Sequence, residues 1–316
     1  MTIKSILNNL LEKAVIDAPQ RDATQTYLEN RPLSVHSELR LLLFAGISFF
    51  CSGLGMLIYK HIDTIGHQVI IAFIALVTLA CGAYAYLKRQ PYSDNAIQNP
   101  DTFGDYALLL SCMTFLILEG YLQYQYQIFG TRYGWAALIP TILFFLAAYR
   151  FDHKGVLTMA MTALATWAGL TITPFDLLKN DFSNLHLVWS GIGIGTLLIA
   201  IGYFSEIKNI KAHFSYSYYM LGGNLAVIAS LAGSFNHTKL FWLIMMTLCI
   251  AFILYARKTG SHLFLLMGVI YSYIGTTYIL VDAMHSGWFF IYYGLFSCLG
   301  VVLFLTYYKK ILNIKS

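Results

Sequence analysis

Long apolar runs separated by short polar connections dominate the chain, and ten of those runs reach or approach the roughly 20 residues that cross a bilayer as a helix. They cover residues 41–59, 69–87, 106–127, 133–149, 156–173, 185–204, 214–232, 240–256, 263–281 and 288–308. The pattern predicts an all-α fold, a polytopic transmembrane helix bundle of about ten spans filling residues 40–310. The fourth run is short and holds Pro140, so a kink or a partial span is expected there. Ahead of the runs, Ile3, Ile6, Leu7, Leu10, Leu11, Ala14 and Val15 recur at helical spacing. That spacing predicts a short cytoplasmic amphipathic helix within a 1–39 segment, docked on its own protein or on a membrane-protein partner. No continuous apolar stretch follows the first lysine, so the segment does not read as a signal peptide.

Composition agrees with the pattern. The chain is 58% hydrophobic and only 11% charged, against roughly 25% charged residues in soluble domains. The net charge of +5 raises the question of nucleic acid. Its basic residues stand singly or in pairs beside apolar runs, which writes membrane topology and builds no phosphate-binding surface, so nucleic acid is excluded as a partner. Cys51, Cys81, Cys112, Cys249 and Cys298 all fall inside apolar runs without metal-ligand spacing and read as small buried hydrophobes.

With a cytoplasmic amino terminus, Lys60, Arg132, Lys179 and Lys239 are the only basic residues on the outer side, and each inner connection carries a pair. The positive-inside rule therefore places both termini in the cytoplasm. All five tryptophans, Trp135, Trp167, Trp189, Trp242 and Trp288, then fall on the outer side. They form either an interfacial belt or the wall of an outward-facing vestibule.

Residues 119–135 are the least lipid-like part of the apolar chain. Glu119, Gln123, Tyr126 and Gln127 follow one another at i, i+4, i+7 and i+8, one stripe of a helix carrying a carboxyl, two amides and a phenol. Glu119 lies about 21 Å along the helix from Asp105, at 1.5 Å per residue, in the outer half of its span. No lysine or arginine lies deep in a span to pair with it, and an intramembrane carboxyl that exchanges a proton as water enters is a basis for proton coupling. The blander reading is a carboxyl hydrogen-bonded to a neighbouring helix. Glu119, Gln123, Tyr124, Tyr126, Gln127, Trp135 and Asn224 are the candidate ligand-binding residues. No catalytic residue, metal site or cofactor is expected; His61, Asp63, His67, His186, His237, Asp282 and His285 are scattered without ligand spacing. Small residues at every fourth position, among them Ser48 and Ser52, Thr162 and Thr166, Gly191 and Gly195, and Gly268, Ser272 and Thr276, predict packing seams.

The order of parts resembles a family of bacterial membrane proteins, domain of unknown function 2157. The likeness rests on a short helical amino-terminal segment, a first span like Leu41-Leu-Leu-Phe-Ala-Gly-Ile, and a third span ending in a Gln/Tyr-rich turn with glycine. Here the turn is Gln125-Tyr-Gln-Ile-Phe-Gly130, followed by Trp135 and a span closing in Ala-Tyr-Arg150. The resemblance covers roughly residues 1–170 and implies the bacterial inner membrane, with no activity attached. Glu119 and the high tyrosine content depart from the pattern. Two halves of five spans, 41–173 and 185–308, are similar to the layout of the drug/metabolite transporter superfamily in span count, length and termini alone. The expected function is a transporter or permease binding a small molecule or lipid in an outward-facing aromatic and acidic pocket. The alternative is a non-catalytic structural or assembly subunit of a membrane complex.

Overall fold

The computed structural model describes residues 11, 17–29, 36–97, 102–172, 184–236, 239–283 and 287–312. Among them eleven α-helices account for the regular structure, with one 3-10 turn, Ala212–Phe214. They are α1 Ala18–Glu29, α2 His36–Ile65, α3 His67–Leu87, α4 Thr102–Tyr126, α5 Tyr133–Phe151, α6 Lys154–Ile172, α7 Leu185–Lys208, α8 Ser215–Asn236, α9 Lys239–Thr259, α10 His262–Ala283 and α11 Gly287–Ile311. Apart from Leu11, which is helical, the amphipathic stretch expected at residues 3–15 lies outside the described residues.

Packing divides the chain into two units, residues 1–53 and 54–316. In the first, α1 is polar, with Arg21 Nε donating to Asp22 at 2.8 Å and Thr24 Oγ1 donating to the Gln20 carbonyl at 2.7 Å. The part of α2 that follows exposes Leu41, Leu42, Phe44 and Phe49.

Each of the ten apolar runs falls on one of α2 to α11 to within a residue. Among the described residues, six helices, α3, α4, α5, α7, α9 and α10, are long and apolar enough to cross a membrane, and α2 and α11 carry shorter apolar stretches, Leu41–Leu57 and Tyr292–Tyr308. Of the others, α6 and α8 are rich in hydroxyl and small residues. They also bury Val156, Leu157, Ala160 and Met161, and Tyr218, Ala226, Val227 and Ser230, respectively. A helix surrounded by other helices meets little lipid and tolerates small polar residues on its faces. Pro140 is buried inside α5, which runs on to Phe151 and is not cut short.

Within residues 54–316 the closest neighbours are sequential pairs, α3 with α4, α5 with α6, α7 with α8 and α9 with α10, and α8 also packs on α9. One apolar cluster joins Phe144 and Ala148 of α5 to Leu157 and Met161 of α6, Leu198 of α7 and Tyr218 of α8. A second joins Val227 of α8 to Met245 and Cys249 of α9, Phe264 and Leu265 of α10, and Leu312.

The expected glycine seam is real between α7 and α8. A Cβ on Gly195 would stand 2.5 Å from the Gly222 carbonyl oxygen and 2.6 Å from the Ala226 nitrogen, and one on Gly222 would stand 2.8 Å from the Gly195 oxygen. Gly268 lies as close to α9, where a Cβ would meet the Cys249 carbonyl at 2.9 Å. Thr162 and Thr166 form no such seam: both are exposed, with hydroxyls donating to the Thr158 and Thr162 carbonyls of their own helix. Cys51, Cys112 and Cys249 are buried as expected, and Cys298 is exposed.

The connections sort to two ends. At one, the 88–97 segment meets the α5–α6 and α7–α8 turns, since the Lys211 N–H donates to the Asp94 carbonyl and the Ile97 N–H donates to Asp152. Near the other, His67 Nδ1 lies 2.7 Å from the Tyr121 hydroxyl.

Candidate functional site

Helix α4 stops at Tyr126 because Gln127 turns left-handed (φ 47°), and Gly130 does the same (φ 56°), a conformation glycine enters without strain. The Gln127 N–H still donates to the Gln123 carbonyl at 3.0 Å, and the turn closes with Gly130 N–H donating to the Gln127 carbonyl at 2.6 Å. The Gln123 side chain holds this turn from inside. Its Nε2 donates to the Gly130 carbonyl at 2.9 Å and its Oε1 accepts the Phe129 N–H at 3.0 Å. Its amide therefore already has backbone partners.

One helical turn before Gln123, Glu119 is 8% exposed and its buried Oε1 has no hydrogen-bond partner among the described residues. The carboxyl borders a cavity of about 500 Å³ between α4 and α5, lined by Leu116, Glu119, Gly120, Gln123, Tyr124, Gln127, Tyr133 and Ala136. That volume lies in the range of small-ligand sites. No lysine, arginine or histidine is among the lining residues. A Cβ built on Gly120 would meet nothing within 4 Å, so the wall is open there. On the α5 side stands Ala136, whose carbonyl receives no helical N–H from residue 140 because residue 140 is proline.

Four of the seven sequence candidates, Glu119, Gln123, Tyr124 and Gln127, thus share one cavity. The other three stand elsewhere. Trp135 faces a neighbouring cavity of about 420 Å³ with Trp167, Gly134 and Thr171, and Tyr133 borders both. Tyr126 is half exposed and outside the Glu119 cavity. Asn224 of α8 accepts the Tyr271 hydroxyl at 2.7 Å on Oδ1, and its Nδ2 donates to the Met220 carbonyl at 3.0 Å. It ties α8 to α10.

A second polar centre, at the opposite end, carries no sequence motif. Helix α5 ends with Asp152 in the left-handed region (φ 57°), and the His153 N–H returns to the Ala148 carbonyl at 3.1 Å. The Asp152 side chain is 3% exposed. Its Oδ2 accepts the Ile97 N–H at 2.6 Å; its Oδ1 lies 3.0 Å from Lys211 Nζ and 2.6 Å from His213 Nε2.

Lys211 is fully buried and sits at φ 52°, a strained value for a lysine. It is held there by its N–H on the Asp94 carbonyl and by Ser205 Oγ, which lies 3.2 Å from the Lys211 carbonyl. Its ammonium also faces the Tyr92 ring at 5.1 Å. Burial opposes the charge on Asp152, but the Ile97 N–H and the Lys211 and His213 side chains outweigh it and hold the carboxyl below the ordinary carboxylate range. Next to it, burial pushes His153 below the usual imidazole value, more strongly than Asp105 and Asp152 draw it up. Its Nδ1 accepts the Val156 N–H at 3.1 Å.

A family model described as "Predicted membrane protein (DUF2157)" matches residues 8–157. The match takes in α1 to α5, and with them the Glu119 cavity and Asp152, and bears out the resemblance read from the sequence. No curated protein and no solved structure matches the chain. The chain is a membrane protein with several helices able to cross a bilayer.

Proposed function

We propose that the protein is a permease or ligand-binding protein of the bacterial inner membrane that takes a small molecule into the cavity between α4 and α5. The observation that carries this reading is the buried carboxyl of Glu119, a residue that lines that cavity and whose Oε1 has no hydrogen-bond partner among the described residues. Buried polar groups nearly always find a partner, and one left open in a cavity of ligand size is best explained by a ligand that supplies it.

The reading includes ten spans with both termini in the cytoplasm. It rests on the ten apolar runs and on the gathering of Lys88, Arg89, Arg150, Lys154, Lys208 and Lys211 near one end. The Glu119 cavity then opens toward the outside. Native mass spectrometry of protein purified from membranes tests the binding role. The wild type should retain a small molecule that the cavity-filling variant Gly120→Leu loses at unchanged fold; equal ligand content in the two would refute it. Reporter tags on the two ends should both read out in the cytoplasm.

A further inference from the structure

We infer that the ligand of the Glu119 cavity is an organic ammonium ion, which rests on the reading of that cavity as a ligand site. The lining offers one carboxyl, two amides and two phenols. Among the described residues Glu119 Oε1 has no hydrogen-bond partner, while the amide of Gln123 is engaged by the backbone of Phe129 and Gly130. Among the described residues no basic side chain lines the cavity to neutralise an acid. An anionic ligand would meet a carboxylate without a counter-charge, and a neutral apolar one would leave Oε1 unpaired.

Cationic ligands resolve both problems. An ammonium head supplies N–H donors and the missing positive charge; aromatic rings attract cations through their faces, and Tyr124 of α4 and Tyr133 of α5 both line the cavity. Tyr124 is 79% exposed, so its ring is available at the rim. The open space over Gly120 leaves room for the alkyl part.

The same head group occurs on free amines and on aminophospholipids, and the experiment separates them. Purified full-length protein in phosphatidylglycerol nanodiscs is titrated by calorimetry with n-butylammonium, ethylammonium, 1-butanol and butyrate, and binding is measured again in nanodiscs containing phosphatidylethanolamine. The ammonium ions should bind, while butanol and butyrate should bind at least tenfold more weakly. Glu119→Gln should weaken ammonium binding by about thirtyfold or more, the scale for removing one partner of a buried charge pair. Gly120→Leu should abolish it with Glu119 intact, which keeps the test alive where Glu119→Gln fails to fold.

If phosphatidylethanolamine suppresses the calorimetric signal, the lipid head group is the source; if the signal is unaffected, free amines are. Binding of butanol or butyrate in place of the ammonium ions, lost in Gly120→Leu, would overturn the ammonium assignment and leave the ligand site standing. Ammonium binding that Glu119→Gln and Gly120→Leu both leave unchanged would overturn the two together.

Discussion

Two carboxyls are buried in the same helical unit and live in opposite surroundings. Asp152 is held by a backbone N–H, an ammonium and an imidazole from two other connections. Glu119 has an oxygen with no partner and an open cavity beside it. The difference separates structure from readiness. A carboxylate whose neighbours meet its needs fixes the elements that carry those neighbours, here the α3–α4, α5–α6 and α7–α8 connections. A carboxyl with capacity left over ties no such elements together.

Breaking the first centre should produce the largest effect. Lys211→Met leaves Asp152 buried without its ammonium, and unfolding free energy in detergent should fall by about 3–5 kcal/mol, the range for removing one member of a buried pair. Adding Asp152→Asn to that variant should recover part of the loss, because the uncompensated charge is gone. Acid attacks the same carboxylate without mutation. Because folding lowers the Asp152 pKa, its contribution is fully present above the unfolded-state value of about 4 and is lost as pH falls through the lower folded value. Thermal unfolding scanned from pH 6 to pH 3 should therefore show an acid limb that Asp152→Asn flattens.

Toward the Glu119 end the effects shrink. Gln123→Ala strips the Phe129 N–H and the Gly130 carbonyl of their side-chain partner, and should lower stability by about 1–3 kcal/mol while raising proteolysis in the 127–132 turn. Glu119→Gln should change stability by less than about 1 kcal/mol, since no partner of Oε1 is lost. An unfolding loss as large as that of Lys211→Met would end the contrast between the two acids.

Much of the fold was legible because span length is a property of one segment: ten apolar runs, read one at a time, fall on α2 to α11. The i, i+4 spacing likewise placed Glu119 and Gln123 on one cavity wall. Spacing did not reveal that Gln127 leaves the helix in a left-handed turn and that Gln123 spends its amide there. Asn224 and Tyr271 are 47 positions apart, and only the packing of α8 on α10 brings them together. The Asp152 centre was hidden for the same reason. Lys211 read as one more inner basic residue, and nothing local distinguishes a solvated lysine from one held by a carboxylate 59 positions away.

The contact between Gly195 and Gly222 has a mechanical consequence. Where two backbones touch with no side chain between them, one cannot slide along the other: a shift of one residue would drive a Leu or Ile methyl into a carbonyl. The α7–α8 pair therefore behaves as a strut.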